Sequence, residues 1–348
     1  ARLYAKVFTR YIKALLEEGH PLEFFIEGGR SRSGKLILPK IGFLSILLEA
    51  YKEGYCDDLV FVPASISYDR IMEEKSYLKE LGGSEKKKES LKQVLKARRL
   101  LKIRYGKIYV QFAKPLSLTE YIQKNEDLEE DNNRQLAFHL IKSVNRVTIV
   151  TPLALIASAI LTKHRRGFHM NELTDTAQLL LKFLKTYDAP TATTLNHCER
   201  TVEENLDLMI NRKVVNVLED VEGEEIFYYV DEDKKQELEY YKNSIIHCFI
   251  SHAFVAVSLL TGTEETKTEK TILEDYIFLK KIFKNEFVYD DGNDINEKGK
   301  IAIDYFLDSA FIIQGINNGE YKLTRLGFDK LPIWGALAKT FIESYWIA

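Results

Sequence analysis

Apolar and polar positions follow two different patterns in the two parts of the chain. In the first third, stretches with apolar residues three or four apart alternate with short, continuous apolar runs. The first pattern indicates amphipathic helices, and the second, rich in β-branched and aromatic residues, indicates buried strands. Because strands separated by helices usually pair in parallel, this part is predicted to be an α/β domain. The predicted helices are 2–18, 40–53 and about 85–102, and the predicted strands are 22–27, 59–67 and 107–112.

The rest of the chain, residues 134–348, has a predominantly helical pattern. An acidic, polar linker, NEDLEEDNN at 125–133, precedes it. Two hairpins interrupt the helices, at 214–230 and at 311–324, and the second contains Asn-Asn-Gly, a strong turn signal. An α/β domain at 1–125 is therefore predicted to be followed by a mostly helical domain with two small β-hairpins. The predicted helices are 134–147, 151–163, 171–187, 198–212, 232–260, 268–284, 295–309 and 325–345.

Composition adds few constraints. The 348 residues are 45% hydrophobic, which suffices for a sizeable core, and the net charge of −3 gives no general tendency to bind nucleic acid. The three widely spaced cysteines, Cys56, Cys198 and Cys248, form neither a CxxC pair nor a zinc-binding spacing, which favours a reducing, cytoplasmic-side setting. No metal or other cofactor is predicted. No apolar run reaches the roughly 18 to 20 residues of a spanning helix.

The start of the chain lacks the features of a natural N-terminus. Residue 1 is Ala rather than Met, and a helical pattern with Leu3, Val7 and Tyr11 on one side begins at once, without a capping residue. The chain is therefore expected to be part of a longer protein.

A glycine-rich, cationic segment follows the first predicted strand. In FFIEGGRSRSGK (24–35), two glycines permit positive φ angles and close backbone approach. Arg30 and Arg32 offer planar guanidinium groups that match phosphate oxygens, and Ser31 and Ser33 add donors. Loops at the carboxyl ends of parallel strands bind ligands in α/β sheets. The segment therefore predicts a phosphate site, although a basic surface loop is the alternative. The spacing is not that of a Walker loop.

Glu27, at the end of the predicted strand, has several possible roles. It can orient Arg30 or Arg32, accept a hydrogen bond from a substrate hydroxyl, or form a plain salt bridge. The residues alone do not decide among these roles.

Several segments resemble one family in the same order along the chain. FFIEGGRSRSGK resembles the third conserved block of the glycerol-3-phosphate acyltransferases of the long bacterial, membrane-associated type, which are related to the dihydroxyacetone-phosphate acyltransferases. LVFVPASISYDRIMEEKSYLKELGG (59–83) resembles the fourth block. Further similar segments are KKKESLKQVL (86–95), GKIYVQFAKPLSL (106–118), VTPLALIASAIL (150–161) and YYKNSIIHCF (240–249).

The resemblance implies that the sn-1 hydroxyl of glycerol 3-phosphate attacks the thioester of an acyl group carried by CoA or acyl carrier protein, giving lysophosphatidate. Arg30 and Arg32 would bind the phosphate, Glu27 and the two glycines would shape its site, and Pro63 would lie near the acyl donor. The substrate-binding residues expected on this basis are Glu27, Gly28, Gly29, Arg30, Ser31, Arg32 and Pro63.

One element of the family pattern is missing. In the superfamily the His of an HxxxxD motif is the general base, and none of the seven histidines has Asp five positions later. This chain is therefore expected to be inactive on its own, and no catalytic residue is predicted within it. Two alternatives remain open, a dihydroxyacetone-phosphate acyltransferase and a non-catalytic phosphate- or lipid-binding module. The expected location is the cytoplasmic face of the bacterial inner membrane, peripheral or monotopic.

Three further segments are candidate contacts for acidic partners or lipid. The basic run at 85–104 and the cluster KHRRGFH at 163–169 can contact acyl carrier protein, CoA phosphates or anionic headgroups, or simply be solvated helix surfaces. The amphipathic C-terminal segment from residue 331 can lie at a membrane interface or pack against its own domain.

Overall fold

Helices form most of the computed structural model, which describes residues 2–29, 31–70, 106–125, 130–163, 166–219, 226–262, 265–289 and 294–347. The helices are α1 (Arg2–Glu17), α2 (Ile41–Lys52), α3 (Leu118–Asn125), α4 (Glu130–Arg146), α5 (Pro152–Lys163), α6 (Met170–Thr186), α7 (Cys198–Asn211), α8 (Glu232–Ser244), α9 (Ile250–Leu260), α10 (Glu269–Ile282), α11 (Glu297–Asp308) and α12 (Arg325–Ile347). The strands are β1 (Val60–Phe61), β2 (Ala64–Tyr68), β3 (Ile108–Phe112), β4 (Leu116–Ser117), β5 (Asn216–Glu219), β6 (Ile226–Tyr229), β7 (Thr266–Thr268), β8 (Ile312–Gln314) and β9 (Glu320–Leu323). The predicted helix at 85–102 and most of the basic run at 85–104 lie outside the described residues.

The strands of the first part pair differently from the prediction. β1 pairs with β4 and β2 with β3, and both pairs are antiparallel, so the expectation of parallel pairing was wrong for the described strands. The predicted strand 59–67 is divided at Pro63, which has no N–H to donate to a ladder. Its carbonyl instead accepts a hydrogen bond of 2.8 Å from the backbone of Ala113, between the two strand pairs.

The segment 22–27 is not a strand. Its backbone bonds run to nearby loop residues: Phe25 accepts from the N–H of Gly28, and Ile26 accepts from the N–H of Lys40. The segment is apolar because it covers a helix, since the ring of Phe24 packs 4.9 Å from that of Phe43 on α2. Burial against a helix and burial within a sheet require the same short apolar run, so the pattern alone predicted a strand.

One hydrophobic cluster holds the first part together, and α4 contributes to it. α1 and α4 both pack against α2, and the buried members are Ile12, Leu44, Leu47, Leu48, Phe61, Leu118, Leu136, Ala137 and Leu140. Beside it, the buried Lys13 on α1 forms ion pairs of 2.7 Å with Glu49 and 2.8 Å with Glu53 on α2 and just after it. The division of the chain at 125–134 stays a prediction.

Asp58 fastens the start of β1 to the chain before α3. Its carboxylate accepts hydrogen bonds from the hydroxyls of Ser117 and Thr119 and from the backbone N–H groups of Leu59 and Thr119. Burial alone would raise the pKa of Asp58, but these hydrogen bonds outweigh it and lower the pKa to about 2.

The second part is a larger helical core. Residues 152–161 of α5 are all buried, and all are apolar except Ser158, whose hydroxyl donates to the Ala154 carbonyl at 2.8 Å. α5 packs against α6, α8 and α12. α9 packs in turn against α10, α11 and α12. The predicted helix 232–260 is divided into α8 and α9 by a 3₁₀ turn at Ile246–Cys248, which turns Ile246 and Phe249 into the core.

Both predicted hairpins are present in this part. β5 pairs with β6, and β8 pairs with β9, each antiparallel. β7, which was not predicted, adds to the second hairpin to give a three-stranded sheet of order β7-β9-β8. Mixed helix and strand in an N-terminal part, followed by a helical part with small hairpins, is the architecture that the sequence predicted.

Near the C-terminus, α12 is buried through Trp334 and Leu337, whereas Trp346 at its end is 90% exposed. Within the described ranges, no helix is both long enough and apolar enough to cross a membrane.

Candidate phosphate site

The glycine-arginine loop, residues 28–36, begins where the chain is held against α2. Phe24 packs on Phe43, which itself lies 6.0 Å from the ring of Phe8 on α1. The backbone then turns at Gly28, whose N–H donates to the carbonyl of Phe25 at 2.9 Å. The loop therefore starts from the hydrophobic cluster of the first part.

Glu27 closes the loop. Its Oε2 accepts a hydrogen bond of 2.7 Å from the backbone N–H of Ile37, ten residues later. Burial raises the pKa of the Glu27 carboxyl, and the hydrogen bond from Ile37 partly offsets this shift. The observed contact thus supports a bracing role in which Glu27 ties the two ends of the loop together.

The glycines of the loop differ in what their positions demand. Gly28 has φ +63°, and a Cβ there would lie 2.7 Å from Cδ of Lys40, a side chain that can move. Gly29 has an ordinary φ and open space around it. Gly34 has φ +88°, and a Cβ there would lie 2.0 Å from the backbone carbonyl oxygen of Tyr240 on α8. Only at Gly34 do backbone conformation and fixed neighbouring backbone both require glycine.

Two polar side chains of the loop, Ser31 and Arg32, lie at its tip. The hydroxyl of Ser31 is buried and has no hydrogen-bond partner among the described residues. The next residue, Arg32, has an exposed side chain. Arg30 lies outside the described residues. A buried, unpaired hydroxyl beside an exposed guanidinium is a combination that an anion with several oxygens can satisfy.

The end of the loop is seated on the helical part. Asn243 on α8 donates from Nδ2 to the carbonyl of Ser33 at 3.0 Å, and its buried Oδ1 has no partner among the described residues. Lys35 forms an ion pair with the carboxylate of Glu286 and donates to the carbonyl of the same residue at 2.8 Å.

Aromatic rings enclose the Lys35 ammonium, which lies 5.3 Å from the ring centre of Phe287 and 5.7 Å from that of Phe341. The Tyr345 hydroxyl donates to the other oxygen of Glu286 at 3.0 Å. Burial lowers the pKa of Lys35 to about 8.

The predicted site residues are thus only partly brought together. Glu27, Gly28, Gly29, Ser31 and Arg32 share one closed loop. Pro63 is buried between the two strand pairs, and its hydrogen bond runs to the backbone that follows β3 rather than to the loop. Its predicted role near an acyl donor stays a prediction.

Sequence reasoning missed three residues of this region: Asn243, which contacts Ser33, and the ion pair of Lys35 with Glu286. Asn243 and Glu286 lie 210 and 251 residues from the loop positions that they contact. Asn243 lies in the segment 240–249 that resembles the family, but nothing in that segment indicates a contact with the loop, and Glu286 lies in no such segment.

Two of the described histidines, His247 and His252, pack within the helical part, and a third, His20, lies at the surface. His252 is buried, lies 3.2 Å from the Tyr187 hydroxyl, and has its pKa lowered to about 3 by burial. Burial likewise lowers the pKa of His247 to about 4. His20 is exposed beside Glu18 at 3.2 Å. The described part of the chain holds no group of three or more His, Cys, Asp or Glu placed to bind a metal ion.

Comparison with known proteins first defines the class. A family model described as acyltransferase matches residues 1–67, which contain the glycine-arginine loop. A second model, described as the glycerol-3-phosphate acyltransferase C-terminal region, matches residues 77–348. The chain therefore belongs to the glycerol-3-phosphate acyltransferase family.

Similar proteins from pseudomonads agree with this assignment, and each is named glycerol-3-phosphate acyltransferase. The one from Pseudomonas putida KT2440 is 30% identical over 289 residues, covering 79% of this chain and 34% of its own length. The one from Pseudomonas fluorescens SBW25 is 32% identical over 270 residues, covering 73% of this chain and 32% of its own. That from Ectopseudomonas mendocina is 30% identical over 273 residues, with the same two coverages. The chain spans about a third of the length of these relatives.

Proposed function

We propose that this chain supplies the phosphate-binding part of a glycerol-3-phosphate 1-O-acyltransferase. The enzyme transfers a fatty acyl group from acyl-CoA or acyl carrier protein to the sn-1 hydroxyl of glycerol 3-phosphate and produces lysophosphatidate for phospholipid synthesis. The observation that carries the proposal is the closed loop between Glu27 and Ile37. At its tip lie the exposed Arg32 and the buried Ser31 hydroxyl, which has no hydrogen-bond partner within the described ranges.

In this function the loop binds and orients the acceptor. Arg30 and Arg32 hold the phosphate by charge-assisted hydrogen bonds, and Ser31 donates a third. Glu27 keeps the loop closed, and Gly28 and Gly29 let backbone N–H groups approach the anion. Holding the phosphate places the sn-1 hydroxyl for attack, which lowers the barrier by fixing orientation. The general base of the HxxxxD motif is not among these residues, so the proposal assigns proton abstraction to a part of the enzyme outside this chain.

The acyl donor is assigned by family membership, and the location by family membership together with one surface feature. We place the enzyme at the cytoplasmic face of the inner membrane, as a peripheral or monotopic protein that takes its acyl group from CoA or from acyl carrier protein. In support, α1 presents a row of exposed apolar side chains, Leu3, Val7 and Tyr11, beside Lys6 and Arg10. Exposed apolar residues flanked by cations are typical of helices at an anionic lipid surface.

A binding experiment on this chain tests the loop directly. Isothermal titration calorimetry with glycerol 3-phosphate is expected to show binding that Arg32→Ala or Arg30→Ala weakens about ten- to a hundredfold, since a charge-assisted contact contributes about 1.5 to 3 kcal/mol. Arg200→Ala is the matched control, because Arg200 is an exposed arginine on α7 paired with Glu204. Equal loss in the control, or no binding by the wild type, would contradict the proposal.

Catalysis is tested in the complete gene product that contains this chain. Arg30→Ala is expected to raise KM for glycerol 3-phosphate, and Arg30→Lys is also expected to be impaired, because a point charge does not reproduce the guanidinium fork. An unchanged acceptor KM in a folded variant would overturn the role of Arg30. Faster turnover of dihydroxyacetone phosphate than of glycerol 3-phosphate would identify dihydroxyacetone phosphate as the acceptor instead. Phosphate binding without any acyl transfer would identify a non-catalytic module.

A further inference from the structure

The end of the glycine-arginine loop has an unusual set of partners for a ligand-binding segment. Residues 33–35 each contact the helical part: a carbonyl accepts from a side-chain amide, a glycine lies on a helix backbone, and a lysine enters an acidic, aromatic pocket. Three consecutive contacts of different kinds fix both the position and the orientation of the chain at this point.

Lys35 is a tether rather than a ligand for phosphate. Its ammonium donates to the carboxylate and to the carbonyl of Glu286, and two aromatic rings lie over it, so only 15% of its side chain is exposed. An ammonium has three donors, and two of them are already used. Glu286 is itself held by the Tyr345 hydroxyl on α12, which orients its carboxylate.

Asn243, on α8, makes a further side-chain contact with the end of the loop. The residue is 8% exposed on α8, one turn after Tyr240, and its side-chain amide donates to the Ser33 carbonyl. The contacts therefore come from two separate places in the helical part, α8 and the segment after α10. A glycine-containing loop gains little order from its own residues, and a binding site gains affinity when its bound conformation is fixed in advance.

We propose that Asn243 and Glu286 are positioning residues of the phosphate site: the helical part holds the loop in its anion-binding conformation through Ser33, Gly34 and Lys35. This inference rests on the proposed function, since it assumes that the loop binds the acceptor phosphate. It assigns to the helical part a direct effect on acceptor affinity, although neither residue touches the acceptor.

The test compares Glu286→Gln with Asp275→Asn as a matched control. Asp275 on α10 forms another ion pair of the helical part, at 3.5 Å to Lys267 of β7, and accepts a hydrogen bond of 2.6 Å from the Ser258 hydroxyl of α9. Both variants lose one charge of a similarly covered pair, so a general loss of stability should affect them alike. Calorimetry with glycerol 3-phosphate is expected to show at least about tenfold weaker binding for Glu286→Gln and unchanged binding for the control.

In the complete gene product, Glu286→Gln is expected to raise KM for the acceptor and to leave KM for the acyl donor unchanged. A merely structural role would instead lower the amount of active enzyme and leave both KM values alone. Where Glu286→Gln does not fold, Asn243→Ala provides the same comparison from the α8 side.

Hydrogen exchange separates failure of this inference from failure of the proposed function. Amides of residues 31–36 are expected to exchange at least about tenfold faster in Glu286→Gln than in the control, whether or not the acceptor binds. Faster exchange with unchanged acceptor affinity, or unchanged exchange in a folded variant, would overturn the positioning role. Absence of acceptor binding in the wild type would overturn the proposed function and, with it, this role.

Discussion

Gly34→Ala is the substitution that most directly separates the loop from the helical part. The present geometry leaves no room for a methyl group, because the added Cβ would lie 2.0 Å from the carbonyl oxygen of Tyr240 and 2.8 Å from its carbonyl carbon. Both atoms are backbone of α8 and cannot move aside as a side chain does. The loop must therefore move away by about 1 Å or more to reach even the shortest contacts that Cβ atoms make.

The expected loss of stability is the sum of three effects. An alanine at φ +88° costs about 1 to 2 kcal/mol, because Cβ approaches its own backbone in the left-handed region. Moving the loop breaks the hydrogen bond from Asn243 to the Ser33 carbonyl, which contributes about 1 kcal/mol. It also weakens the half-buried pair of Lys35 and Glu286, which costs about 1 to 2 kcal/mol when a charged group loses its partner. Together these effects predict a decrease of about 3 to 5 kcal/mol in the free energy of unfolding.

Gly29→Ala is the control for this prediction. Gly29 lies in the same loop, has an ordinary φ, and has no atom within 4 Å of the added methyl group. Alanine there should leave stability unchanged or raise it by about 0.4 to 1 kcal/mol, through the entropy of the unfolded chain. Urea unfolding of both variants gives the stability difference, and calorimetry with glycerol 3-phosphate gives the effect on the site. Equal unfolding midpoints for the two variants would refute the reasoning from the Tyr240 contact.

Three further predictions concern the scaffold. Asp58→Asn should lower the free energy of unfolding at neutral pH, and only by about 1 kcal/mol because water screens this exposed carboxylate. The difference from the wild type should disappear as pH falls from about 4 to 2, the range set by the lowered pKa of Asp58, and urea unfolding across this range measures it. Burial lowers the pKa values of His247 and His252 to about 4 and 3. Below pH 6.5 the unfolded chain therefore binds more protons than the folded chain, and the free energy of unfolding should fall steadily from there to pH 4. His252→Phe should make the thermal unfolding temperature less sensitive to acid in that range. Gly327→Ala should cost more than about 2 kcal/mol in urea unfolding, because its Cβ would lie 1.9 Å from the Phe311 carbonyl oxygen.

The helices were the most predictable part of the fold, for a local reason. Apolar residues three or four apart settle which face of a helix is buried, and α5 through α7 follow the predicted ranges closely. The break between α8 and α9 was not predictable in this way, because the apolar pattern continues through Ile245 and Ile246 while the backbone tightens into a 3₁₀ turn. Where both faces of a segment are buried, the pattern no longer reports the path of the backbone.

The strands were less predictable, because pairing depends on distant residues. The apolar run at 59–67 does form extended backbone, yet nothing in it specifies an antiparallel partner at 108–112. The run at 22–27 has the same local character and covers α2 instead. The rule that strands separated by helices pair in parallel fails here, because the described strands of the first part form two separate antiparallel pairs.

For the candidate site, the sequence indicated the loop but not its support. Two glycines, two arginines and two serines in succession mark a segment that can bind an anion, and the structure describes a closed loop there. The supporting contacts join residues 33–35 to positions more than 200 residues later. Such contacts depend on the packed arrangement of α8, α10 and α12, which no local spacing encodes.

The loop has arginines at positions 30 and 32 and a lysine at position 35, and burial affects the charge of these two side chains differently. A guanidinium keeps its charge in nearly any environment, so arginine suits positions 30 and 32, which we propose to bind the acceptor phosphate. A lysine ammonium can give up its proton when buried, and burial lowers the pKa of Lys35 to about 8, although the Glu286 carboxylate beside it favours the charged form. That adjustable charge is a disadvantage in a ligand for phosphate but is tolerated in a tether, whose terminal nitrogen can still donate a hydrogen bond to the Glu286 carbonyl when it is uncharged. The choice of lysine at position 35 therefore fits an internal attachment, and the choice of arginine at positions 30 and 32 fits contact with the acceptor.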